Sequence, residues 1–141
     1  MESRHLDLPN RKPPRGMDRL PFSDAVAAGD TVYVSGRIGL DPATGRPPAD
    51  AGEEARLVMD DLCRVLRLAG MTTGDLAMVT IFAPDVADFA AFNAVYLTYF
   101  AERLPARAFI GSGPLLFGAR FEITAVAHRA AQRSVEPERS S

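Results

Sequence analysis

Pro105-Ala106-Arg107, followed fifteen residues on by Glu122, holds the side chains of this chain best suited to chemistry. Arg107 opens a strand-like run to Ser112, and Glu122 lies inside a second run from Arg120 to His128. A turn punctuated by Gly113-Pro114 and Gly118 separates them. This spacing predicts a fixed cation and a carboxylate on neighbouring strands of one sheet. A guanidinium is a planar fork that grips a carboxylate through two parallel hydrogen bonds. A carboxylate nearby positions or deprotonates water. Together they predict a pocket for a small organic acid. An Arg and a Glu on paired strands also meet the needs of a structural ion pair, and spacing alone favours that plainer role.

Composition narrows the classes. A chain of 141 residues is one domain with room for a core. Its 47% hydrophobic and 24% charged content is that of an ordinary soluble globular protein. A net charge of -2 points to neither a nucleic-acid nor a membrane surface. Lys12 is the one lysine and precedes the folded body, so no Schiff-base lysine is expected there. Cys63, the one cysteine, excludes an internal disulfide. With no signal-like apolar region and no long apolar span, the cytoplasm is the expected compartment. His5, His128 and Cys63 have no ligand spacing among them, so no metal is expected.

The positioning elements follow from periodicity. Residues 1–19 are rich in Arg, Pro and acids and read as an extended or mobile arm; residues 20–130 form the folded body, and 131–141 read as a disordered tail. Ala25-Val26-Ala27 and Thr31-Val32-Tyr33-Val34 flank a Gly29 turn, which predicts a hairpin ended by Ser35-Gly36. Asp50, with Glu53 three residues on, caps a helix. Its stripe is Ala55, Val58, Met59, Leu62, Val65, Leu66 and Ala69; Arg56, Asp60 and Arg64 form an outward charge ladder, and Gly70 ends it. Cys63 adjoins the stripe as a packed thiol. A strand from Ala77 to Phe82 ends at Pro84. Asp85 then caps a second helix, with Phe89, Phe92, Tyr96, Tyr99 and Phe100 as an aromatic stripe against the sheet. The order β-β-α-β-α-β-β predicts an α+β fold, a mixed sheet with both helices on one face. No sequence remains to cover the other face, so a partner subunit is its natural cover.

Several segments, in this order, resemble the Rid/YjgF family, the reactive-intermediate deaminases. They are Pro21-Phe22-Ser23-Asp24-Ala25, Val32-Tyr33-Val34-Ser35-Gly36-Arg37-Ile38-Gly39, Asp41-Pro42-Ala43-Thr44-Gly45, Phe89-Ala90-Ala91-Phe92-Asn93-Ala94-Val95-Tyr96, Pro105-Ala106-Arg107 and Phe121-Glu122-Ile123. The resemblance implies a chorismate-mutase-like fold and a homotrimer packed sheet to sheet. It implies pockets for small carboxylates at the subunit interfaces, with no cofactor. It also implies hydrolysis of enamines and imines such as 2-aminoacrylate to 2-oxo acids and ammonia. Arg107 would hold the substrate carboxylate, helped by the backbone of its strand through Ile110. Ser35 and Asn93 match positions near the pocket; a turn role and a helix-surface role are as well supported for them.

Three positions depart from the deaminase pattern. Phe22 stands where those members carry tyrosine, and Phe109 where many carry cysteine. Thr124 stands where they carry a second glutamate, the one usually assigned to placing the attacking water. Thr124 hydrogen-bonds water but is no base. A smaller, drier and less basic pocket is therefore expected, with Glu122 or Thr124 assisting water. Glu122 could instead pair with Arg120 or a strand neighbour. Three functions follow: a hydrolytic deaminase, a non-catalytic trimer binding a small carboxylate or aromatic metabolite, and an endoribonuclease. The last has the least support, since the body shows neither a basic groove with interleaved aromatics nor a histidine pair.

Overall fold

The computed structural model describes residues 2–13 and 16–129; the tail expected beyond residue 130 lies outside them. Six strands, β1 (Ser3–Leu6), β2 (Ala25–Ala28), β3 (Thr31–Ile38), β4 (Leu76–Ala83), β5 (Ala106–Gly111) and β6 (Glu122–His128), form one sheet in the order β1-β2-β3-β6-β4-β5. Only β4 and β5 pair in parallel; the other pairs are antiparallel. Helices α1 (Ala51–Leu68) and α2 (Phe89–Tyr96) pack on one face. The fold is the expected α+β arrangement with one strand added. The arm supplies β1, which pairs with β2 from Ser3 opposite Ala28 to Leu6 opposite Ala25.

Alternation decides which face is covered. Val32 and Val34, Val79, Ile81 and Ala83, and Ile123, Ala125 and Ala127 point toward the helices and are buried. The residues between them point the other way, leaving Tyr33, Met78 and Ile110 exposed on an uncovered face. The predicted stripe of α1 is buried from Ala55 to Ala69. The Asp50 carboxylate caps α1 by accepting from the Glu53 N–H. At its other end the Gly70 N–H bonds Arg67 O and the Met71 N–H bonds Leu66 O, with Gly70 at a φ of +70°. That left-handed turn is why a glycine stops the helix there.

Several local expectations need correction. First, β5 and β6 are not neighbours, because β4 lies between them. The chain after β5 needs its long turn to pass β4. Second, Arg120 does not pair with Glu122. It turns into the core side and binds Glu54, a fully buried carboxylate, at 2.7 Å, while its backbone N–H donates to the same carboxylate at 2.6 Å. A buried charge needs such pairing. Third, Arg64 pairs with Asp61 rather than Asp60, whose carboxylate accepts from the Tyr99 hydroxyl at 2.6 Å. Fourth, Asp85 caps a single 3-10 turn, Val86–Asp88, ahead of α2.

Ser35-Gly36 bulges β3 instead of ending it. Val34 lies opposite Ala125 and Arg37 opposite Ile123, so two residues face one on β6. The bulge resets the alternation. Arg37 thereby reaches the helix side, where it binds Asp61 at 2.6 Å and Asp24 at 2.8 Å.

Candidate active site: two half-sites on opposite faces of one sheet

Arg107 faces the helices. It lies beside Val79 in the parallel β4–β5 register, and Phe109 lies beside Ile81, so both side chains share the covered side. Asn93 on α2 accepts from Nη1 of Arg107 at 2.8 Å. The guanidinium carbon sits 4.8 Å from the Tyr96 ring centroid, 5.6 Å from Phe89 and 5.7 Å from Phe109. The Phe89 and Phe109 rings meet edge to face at 5.0 Å. These contacts fix the cation by cation–π attraction and one hydrogen bond. They leave further N–H donors of the fork for a ligand. A cavity of about 270 Å³ opens here, bounded by Asn93, Tyr96, Leu104, Pro105 and Arg107. Burial pushes the Tyr96 phenol up, and the charge of Arg107 opposes that rise. Asn93 is thus bound to the clamp rather than standing as a free surface residue.

Glu122 faces the other way. It stands in one cross-strand row with Ile38 and Phe82, and Ile110 lies beside Phe82. Its neighbours across the sheet are therefore apolar. The carboxylate lies directly against Gly36, where an added Cβ would collide with it. A glycine at the bulge is what lets it lie there. A cavity of about 500 Å³ beside it is lined by Met17, Leu20, Phe22, Ile38, Leu116 and Phe117 together with Ser35, Gly36 and Glu122. The Ser35 hydroxyl donates to Ser23 O at 2.6 Å, which ties the bulge to the segment carrying Phe22. The wall of this cavity is largely apolar; Phe22 lines it without filling the space, and Phe109 packs on the opposite sheet face.

The structure thus brings Phe22, Ser35 and Glu122 together, and separately Arg107, Asn93 and Phe109. Thr124 borders neither cavity; it pairs across the sheet with Thr80 beside the bulge, about 7 Å along the strand from Glu122. Ile110 is exposed on the uncovered face. Sequence reasoning missed Met17, Leu20, Leu116 and Phe117. The available signal was Leu115-Leu116-Phe117, an apolar run inside a Gly- and Pro-bounded turn with no strand or helix to serve.

The remaining titratable groups do not form a competing centre. Burial, reinforced by Asp60, pushes the Cys63 thiol up, which makes it a poor nucleophile. His5 bonds Ser23 and His128 bonds Thr31, each at 3.0 Å. Among the described residues no group of three or more His, Cys, Asp or Glu side chains could hold a metal ion. No helix among them is long and apolar enough to cross a membrane.

A family model described as Endoribonuclease L-PSP matches residues 17–129. The mouse 2-iminobutanoate/2-iminopropanoate deaminase is 39% identical over 108 residues, covering 76% of this chain and 80% of that protein. The deaminase of the same name from Escherichia coli strain K12 is 35% identical over 112 residues, covering 77% and 88%. Among solved structures, the YjgF gene product of E. coli superposes with a TM-score of 0.78 at 32% identity, covering 90% of this chain and 99% of that one. E. coli TdcF with bound serine gives 0.73 at 34% identity, covering 78% and 89%.

Proposed function

The chain belongs to the Rid/YjgF family, and from that premise we propose that it is a cofactor-independent deaminase that hydrolyses 2-imino acids and their enamine tautomers, 2-aminoacrylate among them, to 2-oxo acids and ammonia. Relatives named for that reaction support the reading over most of the chain. The observation that carries it is a pair of complementary half-sites: a prefixed guanidinium with donors to spare, and a carboxylate in an apolar cavity with room for a ligand.

Arg107 holds the substrate carboxylate through its fork. Glu122 orients a water toward the imine carbon and takes its proton as the C–O bond forms. That proton passes to the imine nitrogen to complete the carbinolamine; Glu122 then takes the hydroxyl proton and passes it to the amine as the C–N bond breaks, so ammonia leaves and the carbonyl of the 2-oxo acid remains. Exclusion of bulk water by the apolar wall keeps the reactive substrate from other nucleophiles. Glu122 takes this role in preference to Thr124, which borders neither cavity.

Because Arg107 and Glu122 point to opposite faces of the sheet, one subunit does not present both to a three-carbon acid. The working unit in this reading is a homotrimer in which Arg107 of one subunit meets the Glu122 cavity of the next. The uncovered face with Tyr33, Met78 and Ile110 supplies the apolar surface for that assembly. Light scattering at micromolar concentration should give a mass three times the 15.2 kDa of the chain; a monomer would refute the assembly. A single cysteine suits a reducing compartment, so we place the reaction in the cytoplasm. An endoribonuclease reading gains nothing from His5 and His128, which are engaged separately with Ser23 and Thr31.

The test of the reaction is 2-oxo acid release from imines made freshly from L-alanine and L-leucine by an amino-acid oxidase. The protein should speed release above the spontaneous rate; no acceleration would overturn the reading.

A further inference from the structure

We infer that the Glu122 cavity selects 2-imino acids with a large apolar side chain, and that the selecting wall is built by the segment from Met17 to Phe22 together with Leu116 and Phe117. The inference rests on the deaminase reading and adds to it the substrate class within that reaction.

The wall is unlike the site a three-carbon substrate needs. Met17, Phe22, Leu116 and Phe117 are all large, apolar and exposed, and they converge on one cavity of about 500 Å³ next to the reacting carboxylate. Leu20 and Ile38 continue the same surface. A substrate with its carboxylate on Arg107 and its imine carbon at Glu122 must send its side chain somewhere. The neighbouring surface is apolar, and an apolar side chain leaves water to reach it. One methylene in such a pocket discriminates roughly 10- to 200-fold.

Two features show that the wall is held in place. Phe117 has a φ of +59°, in the left-handed region that a bulky residue rarely adopts. Glycine would sit there freely, yet the position carries an aromatic ring that lines the cavity. The next residue, Gly118, is also left-handed at +71°. Strain of this kind persists where the surrounding structure enforces it and clusters at ligand clamps. On the other side, Arg11 donates to Phe22 O at 2.5 Å and lies 5.4 Å from the Phe22 ring centroid. Arg11 is itself anchored by Asp7 at 2.7 Å and Asp24 at 3.2 Å. It is a positioning residue: it does not line the cavity, and it holds Phe22 in the wall.

Calorimetric binding of three product acids tests this on the assembled protein: pyruvate and the 2-oxo acids of leucine and phenylalanine. The two larger acids should bind at least ~10-fold more tightly than pyruvate. Affinities equal within about two-fold would overturn the inference. Phe117→Gly, which suits the backbone, should bring the ratio down to about three-fold or less, and Arg11→Ala should lower it too. A ratio unmoved by both variants would remove the wall from the account. Turnover of the alanine- and leucine-derived imines separates the two readings. Turnover without a side-chain preference leaves the deaminase standing and sinks the selector. A preference in binding without turnover of any imine does the reverse.

Discussion

Arg107 and Glu122 are held by opposite means. The cation is boxed by Tyr96, Phe89 and Phe109 and tied to Asn93, so its position is set before any ligand arrives. The carboxylate rests on a glycine in an apolar cavity, beside a wall made of the arm and the turn after β5. One half is closely contacted and built from a helix and a strand. The other is bordered by loops. On the proposed reading, the contrast makes binding and specificity separable: the helix side would grip what all 2-oxo acids share, and the loop side would read what differs among them.

The largest effect should come from the arginine half. Arg107→Ala should weaken binding of any 2-oxo acid by roughly 30- to 10³-fold, the cost of truncating one partner of a charged contact. Thermal unfolding should barely change, because the residue sits at the edge strand. Calorimetry and a melting curve check the two halves of that statement. A variant that fails to assemble would make Arg107 structural.

Glu122→Gln comes next. The rate should fall by about 10²- to 10⁴-fold, the worth of a positioned general base, while 2-oxo acid binding stays within a few-fold. Single-turnover kinetics beside equilibrium binding separates these. Thr124→Glu sharpens the point: its carboxylate would stand outside the cavity, so it adds no base beside the reacting carbon and the rate should not rise. A large gain from Thr124→Glu would move the water-positioning role back to the second position.

Gly36→Ala should act more gently. The nearest atoms to the new methyl are all in the Glu122 side chain, its carboxylate first and then Cγ, so the fold should survive and the carboxylate should shift. A displacement near 1 Å costs up to ~10² in rate. A crystal structure with Glu122 unmoved would contradict the close approach.

The smallest effect concerns the arm. Burial pushes the Asp24 carboxyl up, but the Leu8 N–H and the Arg37 and Arg11 charges outweigh it, so its pKa lies below the ordinary 3.8. A depressed carboxylate contributes stability that is complete above 3.8 and is lost as pH falls through the folded value. Arm protection in hydrogen exchange should therefore hold at neutral pH and weaken only below that point. Weakening already near pH 6 would show another group in control.

Much of the fold was legible because apolar period and turn chemistry agree along α1, β4 and the β2–β3 hairpin. What escaped the sequence was pairing order. Nothing local in Arg107–Ser112 or Arg120–His128 says that β4 inserts between them, and this one fact reverses the expected meeting of Arg107 with Glu122. Glu54 was invisible for a related reason: its partner Arg120 lies 66 residues away. The strand from Ser3 to Leu6 was hidden by its polar composition, since an edge strand exposed on both sides needs no apolar alternation. Of the candidate site residues, Phe22, Ser35 and Asn93 were singled out through motif order; Met17, Leu116 and Phe117 belong to loops whose convergence only the fold decides.

The central claim is that a complete site joins Arg107 of one subunit to Glu122 of another. Mixing Arg107→Ala and Glu122→Gln subunits, after dissociation and reassembly, tests it directly. Each variant alone should be nearly inactive toward a 2-imino acid. The mixture should regain about a quarter of the parental rate, the share of interfaces around a closed ring that unite an intact arginine with an intact glutamate. No recovery in mixed assemblies of confirmed composition would show that both groups serve from the same subunit, and would contradict the account.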